Sequence, residues 1–129
     1  APDDDNLSGR SHILTFNQPI IGELPHVNAR LEHVTVIDLE GAGTTTGVNG
    51  LLKCVPKLQQ LILSKFRLGD IPTQAFNLPE LNTLILIDSQ IVLTPASNSA
   101  LSGLQHLQYL DLSGNPLGRT PDVRHVSLL

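Results

Sequence analysis

Ten apolar side chains fall into two columns when the chain is cut into copies beginning at Ser11, Val34, Leu58, Leu81 and Leu107. Three residues after each start stand Leu14, Ile37, Leu61, Leu84 and Leu110; five residues after it stand Phe16, Leu39, Leu63, Leu86 and Leu112. The two-residue step between the columns is the period of a β-strand. Starts that recur at this near-constant interval mark a solenoid, because no single copy buries its apolar edge and neighbours must stack.

The clearest copies, Leu58 to Leu68 and Leu107 to Leu117, read L-x-x-L-x-L-x-x-[N or other]-x-L, the frame of a leucine-rich repeat. Ten residues after the starts come Ile21, Thr44, Leu68, Ile91 and Leu117, and four further on Pro25, Val48, Pro72, Pro95 and Pro121. Proline there ends strand pairing and turns the chain outward. Short strands are predicted near 13–16, 36–39, 60–63, 83–86 and 109–112, with returns over 50–55, 73–78 and 95–104 as short helical or 3₁₀ turns. The expected class is α/β: a right-handed leucine-rich repeat solenoid with a curved parallel sheet on its concave side.

Residues 1–10, with Asp3, Asp4 and Asp5, are expected to form a flexible leader, 11–33 an N-terminal cap or partial repeat, and 34–129 the repeats proper. A further copy is expected to begin at Leu129, one repeat length after Leu107, which suggests a piece of a longer protein. Apolar residues make up 40% of the chain and aromatic ones 3%, as a core of Leu, Ile and Val in near-identical layers requires. A net charge of -4 with few, scattered basic residues argues against nucleic acid as a partner. No apolar run approaches the ~20 residues of a membrane span, and no signal peptide is read at the N-terminus.

The stretch LQYLDLSGNPLGRTPDV, Leu107 to Val123, together with LEHVTVIDLEG at 31–41 and LPELNTLIL at 78–86, resembles the leucine-rich segment of large proteobacterial effector-type proteins. In that family the repeats precede a C-terminal E3 ubiquitin ligase domain of the "novel E3 ligase" class, which works through a catalytic cysteine. The resemblance implies a bacterial protein secreted into a host cell. It also implies a recognition segment that meets the ubiquitin machinery only through a domain with no counterpart in this sequence. No catalytic residue is therefore carried over. The consensus asparagine position holds Pro19, Ala42, Phe66, Ser89 and only once Asn115, so an asparagine ladder is not expected; Phe66 should act as an aromatic plug.

Other motifs offer little chemistry. In Gly41-Ala-Gly-Thr-Thr-Thr-Gly47, Thr46 stands where a dinucleotide loop needs glycine and Val48 where a P-loop needs lysine, so a plain turn is expected. Cys54 has no fixed His or Asp partner and is read as a small buried hydrophobe. His12, His26, His33, His106 and His125 lack metal-ligand spacing. Asp38 and Asp111 occupy equivalent positions three strands apart, ~14 Å at ~4.8 Å per strand, too far to work as a catalytic pair. Neither cofactor, metal nor enzymatic activity is expected of this chain.

Alternation places the residues two, four and six after each start on the open face. The first column is Ile13, Val36, Gln60, Thr83 and Tyr109; the second Thr15, Asp38, Ile62, Ile85 and Asp111; the third Asn17, Glu40, Ser64, Ile87 and Ser113. Ile62, Ile85 and Ile87 form an exposed apolar centre rimmed by Asp38, Glu40 and Asp111, the anatomy of a protein interface. The chain reads as a module that binds another protein; the competing reading is a structural spacer or autoinhibitory arm.

Overall fold

The computed structural model describes residues 12–15, 18, 19, 21–123, 127 and 128. Among the described residues, six parallel strands lie side by side in chain order: β1 (Ile13–Thr15), β2 (Val36–Glu40), β3 (Gln60–Ser64), β4 (Thr83–Ile87), β5 (Tyr109–Asp111) and β6 (Ser127–Leu128). Their register follows the copies: Ile13 pairs with Val36, Val36 with Gln60, Gln60 with Thr83 and Thr83 with Tyr109. The expected leader, and Phe16 and Asn17 of the first copy, lie outside the described residues.

Both inward columns are buried wherever they are described, from Leu14 to Leu112. Two further columns emerge in the approach to each strand. The starts Val34, Leu58, Leu81 and Leu107 are buried, as are Leu31, Val55, Leu78 and Leu104 three residues before them. Each of these four starts donates its amide to the carbonyl three residues earlier, at 3.1–3.4 Å, so the same tight turn delivers four copies into their strands. Apolar residues at both ends of that turn explain why it recurs: they bury it against the copies on either side.

The returning segments differ from copy to copy. The second copy carries helix α1 (Thr45–Leu52), which begins five residues before the expected return and takes in the end of the glycine-rich loop. The third carries a 3₁₀ turn (Thr73–Asn77), and the fourth helix α2 (Pro95–Ser102), where Pro95 occupies the first turn, the place a missing N–H costs nothing. No helix follows β5 among the described residues. Among the described residues, helices occur in the copies beginning at Val34 and Leu81, the two longest.

Side chains link these unlike returns in alternation. Glu23 of the first copy accepts hydrogen bonds from the Thr44 amide and hydroxyl at 3.1 and 2.7 Å, and Asp70 of the third accepts one from the Thr94 hydroxyl at 3.2 Å. Thr44 and Thr94 are the residues that precede α1 and α2. In the other direction, Asn49 of α1 accepts the Gln74 amide at 3.0 Å and Asn98 of α2 the Asp122 amide at 2.8 Å. A carboxylate thus anchors the start of each helix, and an asparagine on each helix anchors the segment after it.

Two expectations need correction. Pairing of Tyr109 with Ser127 and Leu110 with Leu128 places the start of the sixth copy at 125, four residues before Leu129. The asparagine position is also better linked than the lone consensus match implies. Asn115 accepts from the Ser89 and Ile91 amides at 2.8 and 3.0 Å, and donates to the carbonyls of Leu86 and Leu112 at 2.7 and 2.8 Å. Ser89 passes the link on by accepting the Phe66 amide at 3.2 Å. Phe66 itself is fully buried, as an aromatic plug should be.

Candidate functional site

The open face of β2 to β5 is the surface on which the predicted positions come together. The row Asp38, Ile62, Ile85, Asp111 is continuous across four strands in register, with Thr15 of β1 at its end. Beside it run Val36, Gln60, Thr83 and Tyr109 on one side and Glu40, Ser64 and Ile87 on the other. Ser113 lies exposed just beyond β5.

Exposure along this face is graded. Asp38 and Glu40 are exposed, whereas Ile62, Ile85 and Ile87 are half-buried by their neighbours in the sheet, not fully open as alternation alone suggests. Thr83 is buried and donates its hydroxyl to the Asn82 side chain at 2.8 Å. Tyr109, 46% exposed, is the largest apolar surface at the β5 end, and Ile13 is the exposed apolar residue at the β1 end.

Carboxylates dominate the rim. Asp111 accepts hydrogen bonds from the amide and hydroxyl of Ser113, which fix the direction of its carboxylate. Glu40 lies 2.9 Å from the ammonium of Lys65. That hydrogen bond, with the charge of Glu40 and a smaller contribution from Asp88, raises the Lys65 pKa above its ordinary value. Lys65 follows β3 with φ of 66°, a left-handed backbone conformation that turns the chain sharply away from the strand.

The other candidate residues have structural roles. In the glycine-rich loop a Cβ on Gly43 would lie 3.1 Å from the Phe66 ring, and one on Gly47 2.8 Å from the Glu23 carboxylate. These glycines make room for the plug and for the protein's own anion at the start of α1, a position that a phosphate would otherwise favour. Two hydrogen bonds from Thr44 lower the Glu23 pKa. Cys54 is half-buried instead of fully buried, its thiol 3.3 Å from the Val27 carbonyl and 3.5 Å from that of Gly50. His106 is exposed, and His33 is half-buried with Nε2 inside and unpaired. Among the described residues no three His, Cys, Asp or Glu side chains gather as metal ligands, and no helix is long and apolar enough to cross a membrane.

The leucine rich repeat model matches residues 56–117, which take in β3, β4 and β5. The chain is a leucine-rich repeat solenoid. A similar solenoid occurs in a chain of the crystal structure of the BIR3–SERK2 complex from Arabidopsis thaliana, with a TM-score of 0.60 and 28% sequence identity. The match covers 84% of this chain and 64% of that one, so this leucine-rich repeat segment spans less than two thirds of the length of its structural neighbour. No curated protein shows significant sequence similarity. Leucine-rich repeats of this kind generally mediate contacts between proteins, and the solenoid fold is typically a binding module without catalysis.

Proposed function

We propose that the open face of β2 to β5 binds another protein and that the chain is the recognition segment of a larger effector-type E3 ubiquitin ligase, bacterial and delivered into a host cell. The observation that carries the binding reading is the row Asp38, Ile62, Ile85, Asp111, an aliphatic centre closed at both ends by acids. Apolar cores inside polar rims are how protein interfaces are built. The solenoid supports this face from behind with a continuous Leu and Ile core, so the face is rigid before a partner arrives and little ordering entropy opposes binding. The ligase context rests on the resemblance carried by Leu107 to Val123.

Site-specific photocrosslinking tests the binding face. Benzoylphenylalanine replaces either Tyr109, on the open face, or Ser99, exposed on α2 at the opposite side. In the full-length protein inside its host cell, position 109 is expected to trap one discrete protein that position 99 does not. Crosslinks from position 99 alone would contradict the assignment.

A further inference from the structure

The row across the open face also has a length. Asp38 and Asp111 are separated by three strand spacings, ~14 Å at ~4.8 Å each, with Ile62 and Ile85 side by side between them. Further carboxylates, Glu40 and Asp88, stand exposed along the adjoining edge. Lys65, the cation beside them, is already engaged by Glu40. Tyr109 precedes Asp111 by two residues on the same strand, and so stands on the same face.

Building on the binding face argued above, we infer that its occupant is a basic amphipathic helix of a partner protein, lying across the strands. Cationic side chains at i and i+7 meet Asp38 and Asp111, and aliphatic ones at i+3 and i+4 pack on Ile62 and Ile85. Seven helical residues rise ~10.5 Å, and long Lys or Arg stems splay outward over the remaining few ångströms. Positions i, i+3, i+4 and i+7 share one helix face, so the partner offers two aliphatic groups to two isoleucines. An extended segment, with same-face residues ~6.7 Å apart, would bring only one. At the β5 end an arginine fits best, because its guanidinium pairs with a carboxylate through two hydrogen bonds and stacks on an aromatic ring such as Tyr109. An acidic partner would meet carboxylates at both ends.

The test is a nuclear magnetic resonance titration of the isotope-labelled chain. One alanine-based helical peptide carries Arg at i and i+7 and Leu at i+3 and i+4; its twin carries Glu in place of both arginines. The Arg peptide is expected to give saturable shifts in amides of β2 to β5 that weaken as salt is raised, with the twin at least about tenfold weaker. Combining Asp38→Asn with Asp111→Asn should reduce the Arg peptide to the level of the twin while leaving the spectrum of a folded chain. Absence of saturable shifts, equal binding of the twin, or indifference to the double substitution would overturn the inference. If such a failure coincides with persistent crosslinks from position 109, the basic-helix occupant is wrong and the binding face stands. Peptide shifts confined to α1 and α2, with no crosslink from position 109, remove both.

Discussion

Eight residues after each repeat start, one side chain decides how the turn leaving the strand is closed, and three copies do it in three ways. Asn115 uses both ends of its amide, Ser89 relays the link through its hydroxyl, and Phe66 fills the space with a fully buried ring. Asn115→Ala removes hydrogen bonds to two amides and three carbonyls at once and is expected to cost about 2–3 kcal/mol in urea unfolding. Phe66→Ala leaves a cavity lined by Gly43 and should cost about 3–5 kcal/mol by the same measurement. The plug was legible in the sequence because a large aromatic at a turn position has nowhere to go but inward. The serine relay was not, since a hydroxyl serves as an amide substitute only when a particular neighbour is in reach.

The returning elements were the least legible. Proline marks the outward turn in every copy except the second, which has Val48, but the extent of α1 and α2 depends on how many residues a copy has before its next strand, and on partners supplied by another copy. Thr94 accepts the Ser97 amide at 3.1 Å while Ser97 accepts the Thr94 amide at 2.9 Å, a reciprocal cap strengthened by Asp70. Thr94→Ala is expected to destabilise the chain by about 1 kcal/mol, measured by urea unfolding. The cap at Thr44 is different, because it depends on the charge of Glu23. A folded-state pKa held below the unfolded one contributes stability above the ordinary glutamate range that disappears as pH falls through the lowered value. Glu23→Gln should therefore lower the melting temperature at neutral pH, and the gap from the parent chain should close on acidification. A gap independent of pH would mean that the carboxylate acts by shape alone. The glycines at 43 and 47 gave the loop the appearance of a phosphate site; their spacing reflects Phe66 and Glu23, partners a full repeat away along the chain that only stacking brings near.

From β1 to β5 the strands and their alternation were readable from the sequence, because burial on one side of a sheet forbids a slip of one residue without inverting every side chain; β6 was not, since the copy before it is shorter than the others. Leu61, Leu63, Leu84 and Leu86 lie inside, and Gln60, Ile62, Ser64, Ile85 and Ile87 stand on the open face at intermediate exposure. The partial burial of those isoleucines could not be foreseen from period alone, since it depends on how closely neighbouring strands crowd each row. Leu84, without exposed surface, cannot accept a carboxylate: Leu84→Asp is expected to cost more than about 4 kcal/mol and leave the chain unfolded by circular dichroism. Ile85, one residue on and half-buried, should tolerate the same change for about 1 kcal/mol. The decisive measurement is partner capture by folded Ile85→Asp protein, with benzoylphenylalanine at position 109 in the full-length molecule. A carboxylate at 85 would have to lose its water against the partner's aliphatic side chains, and should abolish the crosslink while the chain stays folded; undiminished capture of the same partner would contradict the assignment of the open face as the binding surface.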